Sequence, residues 1–126
     1  MTWLPDTNAI LRYLLEDNAA HFRESSDLFE KVRSGASKAL ILECVIVECV
    51  YVLVKYYKVP RGDAADRLES ILGYKGIVNS DRMELIRALR LFADKSLDIV
   101  DCVLFAKSRA QDRALFSFDE KLMKMK

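Results

Sequence analysis

One histidine, His21, stands in a chain of 126 residues, and this scarcity excludes more than any other. A His-based zinc site and a paired-histidine ribonuclease mechanism both need more imidazoles than the chain has. His21 itself lies on a charged, amphipathic stretch and reads as a surface side chain. Cysteine is scarce too. Cys44, Cys49 and Cys102 are odd in number and embedded in apolar sequence, so they read as reduced core thiols rather than a disulfide framework. Cys44 and Cys49 also lack the spacing of a zinc knuckle. An excess of charge is missing: Lys and Arg total 20 against 19 Asp and Glu, a net charge of +1. Whole-chain charge therefore gives no nucleic-acid signal, and such a partner would need a local basic patch. No basic region precedes an apolar core at the N-terminus, so no signal peptide is expected. The run from Leu40 to Val54 contains Glu43 and Glu48 and is too short to span a bilayer. These absences imply a cytoplasmic protein with no membrane partner.

What is present is enough apolar material, 52% of the residues, for a real core in one domain spanning 1–126. No repeat, low-complexity tract or interdomain linker interrupts it. Thr2 to Pro5 reads as a first strand that must end at Pro5, which has no N–H to donate. Asn8 to Glu16 and Ala19 to Ser34 read as helices, the second stopped by Gly35. Ala39 to Leu42 reads as a buried strand. From Ile46, the spacing of Cys49, Val50, Leu53, Val54 and Tyr57 predicts a helix up to the Pro60-Arg61-Gly62 break. Asp63 to Leu72 follows as another helix, and Gly76 to Asn79 as a third short strand. Asp81-x-x-Glu84 resembles a capping box for a helix to Phe92. A helix from Ile99 to Gln111, a strand from Ala114 to Phe118 and a charged tail complete the chain. Strands alternating with helices imply an α/β sandwich around a short, mainly parallel sheet.

Four acids stand out against this pattern: Asp6, Glu48, Asp101 and Asp119. A carboxylate in apolar surroundings is costly unless paired, neutralised or bound to a cation. Val47, Cys49, Val50 and Tyr51 leave Glu48 little solvent if its helix is buried. Ligands of open α/β sheets gather at the carboxyl ends of strands. Asp6 and Asp119 fall at predicted strand ends, Glu48 and Asp101 in first helical turns. Converging, they would form an oxygen-rich pocket suited to Mg²⁺ or Mn²⁺. Two carboxylates about 5 Å apart repel by about 3 kcal/mol at an effective dielectric near 20, so an empty four-acid pocket is a poor structural device. Each acid also has a plainer reading. Asp6 and Asp98 suit helix caps, Asp101 the first-turn acid after Asp98, Glu48 a partner for Lys55, and Asp119 a solvated turn.

The segments Leu4-Pro5-Asp6-Thr7-Asn8, Val47-Glu48-Cys49-Val50-Tyr51, Leu97-Asp98-Ile99-Val100-Asp101-Cys102 and Ser117-Phe118-Asp119 resemble, in order and spacing, the PIN-domain nucleases, and within them the VapC-type toxins of toxin–antitoxin pairs. The resemblance implies a PIN-like α/β/α sandwich and a Mg²⁺- or Mn²⁺-dependent endoribonuclease. Asp6, Glu48, Asp101 and Asp119 match its metal-binding, catalytic acids. Asp98 matches a frequent but lesser candidate ligand. Asn8 matches the polar residue supporting the first acid, and Ser117 sits beside the last. Pro5, where a free N–H is expected, and Cys102, where a small alanine is usual, depart from the pattern without removing an acid. An RNA substrate, a protein antitoxin and a homodimer follow as expected partners. Val47, Tyr51 and Val52, off the main stripe of their helix, suggest a second buried face for that dimer. Arg12, Lys55, Lys107, Arg109 and the Lys121–Lys126 tail are the candidates to meet an RNA backbone. Two competing readings remain. One is a PIN-like binding module with weak or no catalysis. The other is an aspartate-based phosphatase, which Asn8 opposes by standing where a second Asp is needed.

Overall fold

The sheet is shorter than the helices around it. In this computed structural model, which describes residues 1–125, β1 (Thr2–Trp3) pairs in parallel with β2 (Lys38–Ala39). Thr2 lies opposite Lys38 and Trp3 opposite Ala39, and Ala39 makes one further parallel bridge to Ile77. The expected third strand is thus reduced to Ile77. What finishes its ladder is a side chain. Asn79 is buried; its Nδ2 donates to the Ile41 carbonyl at 2.7 Å and its Oδ1 accepts from the Ile41 N–H at 2.9 Å. The amide replaces a strand residue where the backbone turns away, leaving neither buried group of Ile41 unpaired. Gly76 makes the approach possible. A Cβ there would overlap the carbonyl oxygen of Ser37 and crowd that of Val32, which accepts the Gly76 N–H at 2.8 Å.

The helices are α1 (Thr7–Leu15), α2 (Ala19–Ser34), α3 (Glu43–Tyr51), α4 (Arg61–Leu72), α5 (Arg82–Asp94), α6 (Ile99–Ala110) and the short α7 (Glu120–Met123). Asp6 caps α1 by accepting the Ala9 N–H at 2.8 Å. Gly35 ends α2 in the left-handed conformation (φ 88°). The helix expected from Ile46 begins earlier, at Glu43, and after Tyr51 widens into a π-helical turn, Val52–Tyr56. α3 packs on both α1 and α6, α4 on α5, and α5 on α6. Ile10, Phe29, Ile41, Ile46, Leu53, Leu68, Leu89 and Ile99 are fully buried between these layers. Each contributes roughly 1.5–3 kcal/mol by leaving water. Val47, Tyr51 and Val52 lie half-buried against this same core, so the subunit itself covers much of the second face of α3. No helix among the described residues is long and apolar enough to cross a membrane.

Several expectations are overturned. Ala114 to Phe118 is not a strand. Its alternation exists, with Leu115 and Ser117 half-buried and Phe116 and Phe118 exposed, but among the described residues its backbone bonds to no neighbouring strand. A period of two indicates a strand only where a ladder partner is available. The Asp81 capping box does not form: the Asp81 carboxylate turns to Lys107 and Asn79 instead of its own helix. Cys44 is exposed, while Cys49 and Cys102 are buried free thiols. Of the Lys121–Lys126 tail, Lys126 lies outside the described residues. Before it the chain folds into α7, anchored by the buried Leu122.

Candidate functional site

Asp6 leaves β1 and immediately caps α1. One carboxylate oxygen is committed to the Ala9 N–H, and the side chain remains solvent-exposed. Thr7 packs inward, its hydroxyl against the Cys49 thiol. Glu48 projects from α3 toward the same place. It is exposed, against the expectation of a buried acid, because α3 turns that side to an open hollow of about 360 Å³. Asp6, Thr7, Asn8, Leu11, Val45 and Glu48 line this hollow. Asn8 therefore stands beside Asp6 as expected. Burial, with the nearby charges of Glu48 and Asp6, pushes the Cys49 thiol up to about 12, so it is inert at neutral pH.

A second group forms at the start of α6 and before α7. The Asp101 carboxyl is shifted upward, first by burial and then by the charges of Asp119 and Asp98. The same burial, opposed by Arg61 and helped by Asp101 and Asp98, raises the Cys102 thiol to about 11. Asp98 occupies the cap position of α6 but does not cap it. Its Oδ1 accepts the Tyr51 hydroxyl at 2.6 Å, and this bond above all lifts the Tyr51 phenol to about 12. Asp119 is not at a strand end. It caps α7 by accepting the Leu122 N–H at 3.1 Å, and its own N–H donates to Ser117 Oγ at 3.0 Å. Ser117 thus supports the last acid through a local turn.

α3 links the two groups. Val45, Glu48, Tyr51 and Lys55 are spaced by three or four residues and share one side of the helix and its π-helical extension. The lower end of this row meets Asp6; the upper end meets Asp98 through Tyr51, with the Lys55 ammonium 5.1 Å from the Tyr51 ring. Tyr51 is the site residue that sequence reasoning missed, and its signal was its place one turn beyond Glu48. Arg61 was missed as well. Its guanidinium lies 3.6 Å from the Phe92 ring and donates to the carbonyls of Phe92, Lys95 and Leu97, so it holds the loop that presents Asp98.

Asp6 and Glu48 thus share one hollow, and Asp98 and Asp119 each stand within electrostatic reach of Asp101. The two groups do not merge: among the described residues, no three acidic, histidine or cysteine side chains are close enough to hold a metal ion as they stand. The donor chemistry, carboxylate oxygens alone, suits a hard divalent cation. None of the five acids forms an ion pair with Lys or Arg among the described residues. The expected basic residues are largely engaged elsewhere. Arg12 bonds Asp17 and Tyr57, Lys107 bonds Asp81 and Glu43, and Lys121 bonds Ser96.

No curated protein and no solved structure matches the chain. The family model of the PIN domain matches residues 3–126, so the chain belongs to the PIN-domain family, typically a metal-dependent nuclease fold.

Proposed function

We propose that this protein is a divalent-metal-dependent endoribonuclease and the toxin of a toxin–antitoxin pair, with Asp6, Glu48, Asp101 and Asp119 as its catalytic and metal-binding acids. The observation that carries the reading is the set of acids around one side of α3, none of which is ion-paired to a lysine or arginine among the described residues. Asp101 is held half-buried beside like charges, an arrangement that favours a bound cation or proton uptake. Glu48, exposed, has room to turn toward such a cation, while the Ala9 N–H restrains Asp6 and the Tyr51 hydroxyl restrains Asp98. The chemistry the cation supplies is neutralisation of the scissile phosphate and acidification of the attacking water. The chain's own part is to orient the ion: the α1 cap fixes Asp6, and the Ser117 turn fixes Asp119.

The antitoxin and the homodimer belong to the same reading. An arginine of an inhibitor would suit the uncompensated carboxylates, since its fork matches their geometry. The separation of the acids into two groups favours the second reading, a binding module with weak or no catalysis. One experiment separates the two. Purified protein is mixed with a mixed-sequence RNA and Mg²⁺ or Mn²⁺, with a chelator control and the Asp6→Asn variant. Metal-dependent cleavage by the wild type alone supports the nuclease. RNA left intact by a folded wild type leaves the binding module.

A further inference from the structure

Away from the acids, α5 and α6 leave an open groove of about 280 Å³ between them. On α5 its wall is Arg87, Arg90, Leu91 and Asp94, spaced i, i+3, i+4, i+7, which is one side of a helix. On α6 it is Phe105, Ala106 and Arg109. The floor is apolar, made by Leu91, Phe105 and Ala106, and three guanidinium groups stand over it against one carboxylate. Those cations are available to a ligand. Arg87 is exposed and has no hydrogen bond or ion pair among the described residues. Arg90 is 64% exposed although it bonds Glu69 at 2.8 Å. Arg109 lies 5.0 Å from the Phe105 ring, and its one side-chain hydrogen bond among the described residues is to the Met125 carbonyl at 3.3 Å.

We infer that this groove docks an acidic amphipathic peptide of a protein partner, with an apolar side chain on Leu91, Phe105 and Ala106 and flanking carboxylates on Arg87, Arg90 and Arg109. Charge complementarity selects the acidic ligand, and the groove between two helix ridges suits the apolar stripe of a helix. Arginine at the rim favours carboxylates because its planar fork can bind both oxygens. A nucleic acid fits less well. The floor exposes too little of the Phe105 ring, 9% of the residue, for a base to stack along it, though enough to meet the tip of an aliphatic side chain, and Asp94 on the rim repels phosphate. The inference does not rest on the nuclease reading, because none of the five acids lines this groove.

The test uses the full chain and two labelled helical peptides with the same leucine face, one flanked by glutamates and one by lysines. Fluorescence anisotropy at low salt should show the glutamate peptide binding at least about tenfold more tightly than the lysine peptide. Arg87→Glu should abolish that preference, and Leu91→Ser should weaken the glutamate peptide without changing the preference. Circular dichroism confirms that both variants fold, and Asp101→Asn should bind the peptide like the wild type. Equal binding of the two peptides, or none, overturns the proposal. So does displacement of the glutamate peptide by a short uridine oligomer through Arg87, which would assign the groove to nucleic acid. Self-association that is lost with Arg87→Glu in sedimentation would assign it to a second copy of this chain.

Discussion

Two clusters of carboxylates sit against the two ends of α6, and they are built on opposite principles. At one, Lys107 lies between Asp81 (2.9 Å) and Glu43 (3.3 Å), while Asn79 joins Asp81 to the end of the sheet. Burial pushes the Asp81 carboxyl up, but the bonds from Lys107 and Asn79 outweigh it and hold the carboxyl below its ordinary value. At the other, Asp101 is shifted upward, with Asp119 and Asp98 adding to burial and no lysine or arginine among the described residues paired with any of the three. The same residue type is stabilised as an anion in one place and penalised in the other. An acid cluster that serves the fold carries its own cation. One that does not is a liability to stability, which points to a ligand.

The largest expected effect breaks the comparison at its uncompensated end. Asp101→Asn should lower the rate of RNA cleavage by on the order of 10²–10³, the usual scale for losing one electrostatic contact at a reacting phosphate. It should leave the melting temperature of the metal-free protein unchanged or slightly higher, since the variant removes repulsion. Full cleavage by this variant would sink the assignment. At the compensated end, Lys107→Met should cost about 1–3 kcal/mol in urea unfolding, because it leaves the partly buried Asp81 carboxylate, and the exposed Glu43 beside it, without their cation. Cleavage per folded molecule should hardly change. Comparable losses of activity in both variants would erase the distinction between the clusters.

Acid titration of stability sharpens the contrast, because the two shifts have opposite signs. The lowered Asp81 contributes stability that is present above its unfolded value and lost as pH falls through its depressed folded value, below about pH 4. The raised Asp101 carries a penalty at neutral pH that is relieved as pH falls toward about 4. Urea midpoints measured from neutral pH downward should therefore lose the low-pH fall in Lys107→Met and the milder gain above it in Asp101→Asn. The smallest effect is expected for Tyr51→Phe. Removing the donor to Asp98 should cost roughly 0.5–1.5 kcal/mol and abolish the component of the ultraviolet tyrosine titration that in the wild type should appear near 12. A tyrosine titration curve identical in the variant would show that this phenol is not the perturbed group.

Sequence alone determined the features that depend on local or periodic physics. The apolar spacing along α1, α2, α4, α5 and α6 identified the helices to within a few residues, and Gly35 marked where α2 stops. Alternation of strands and helices implied the parallel α/β arrangement, four acids in apolar sequence suggested the candidate site, and the resemblance to PIN domains added Asn8 and Ser117 to it. Tertiary structure decided everything that requires two distant segments to meet. Residues 114–118 carry strand periodicity but no ladder, because no strand among the described residues offers them its edge. Glu48 sits in an apolar run yet faces solvent, because what surrounds a helix residue is set by the packing of α1 and α6 on α3, not by its neighbours in sequence. Asp81 and Asp98 both occupy cap positions and both abandon them, for Lys107 and Tyr51, residues 26 and 47 positions away. Helix propensity acts within a turn or two, whereas a carboxylate takes whichever donor the folded chain brings nearest.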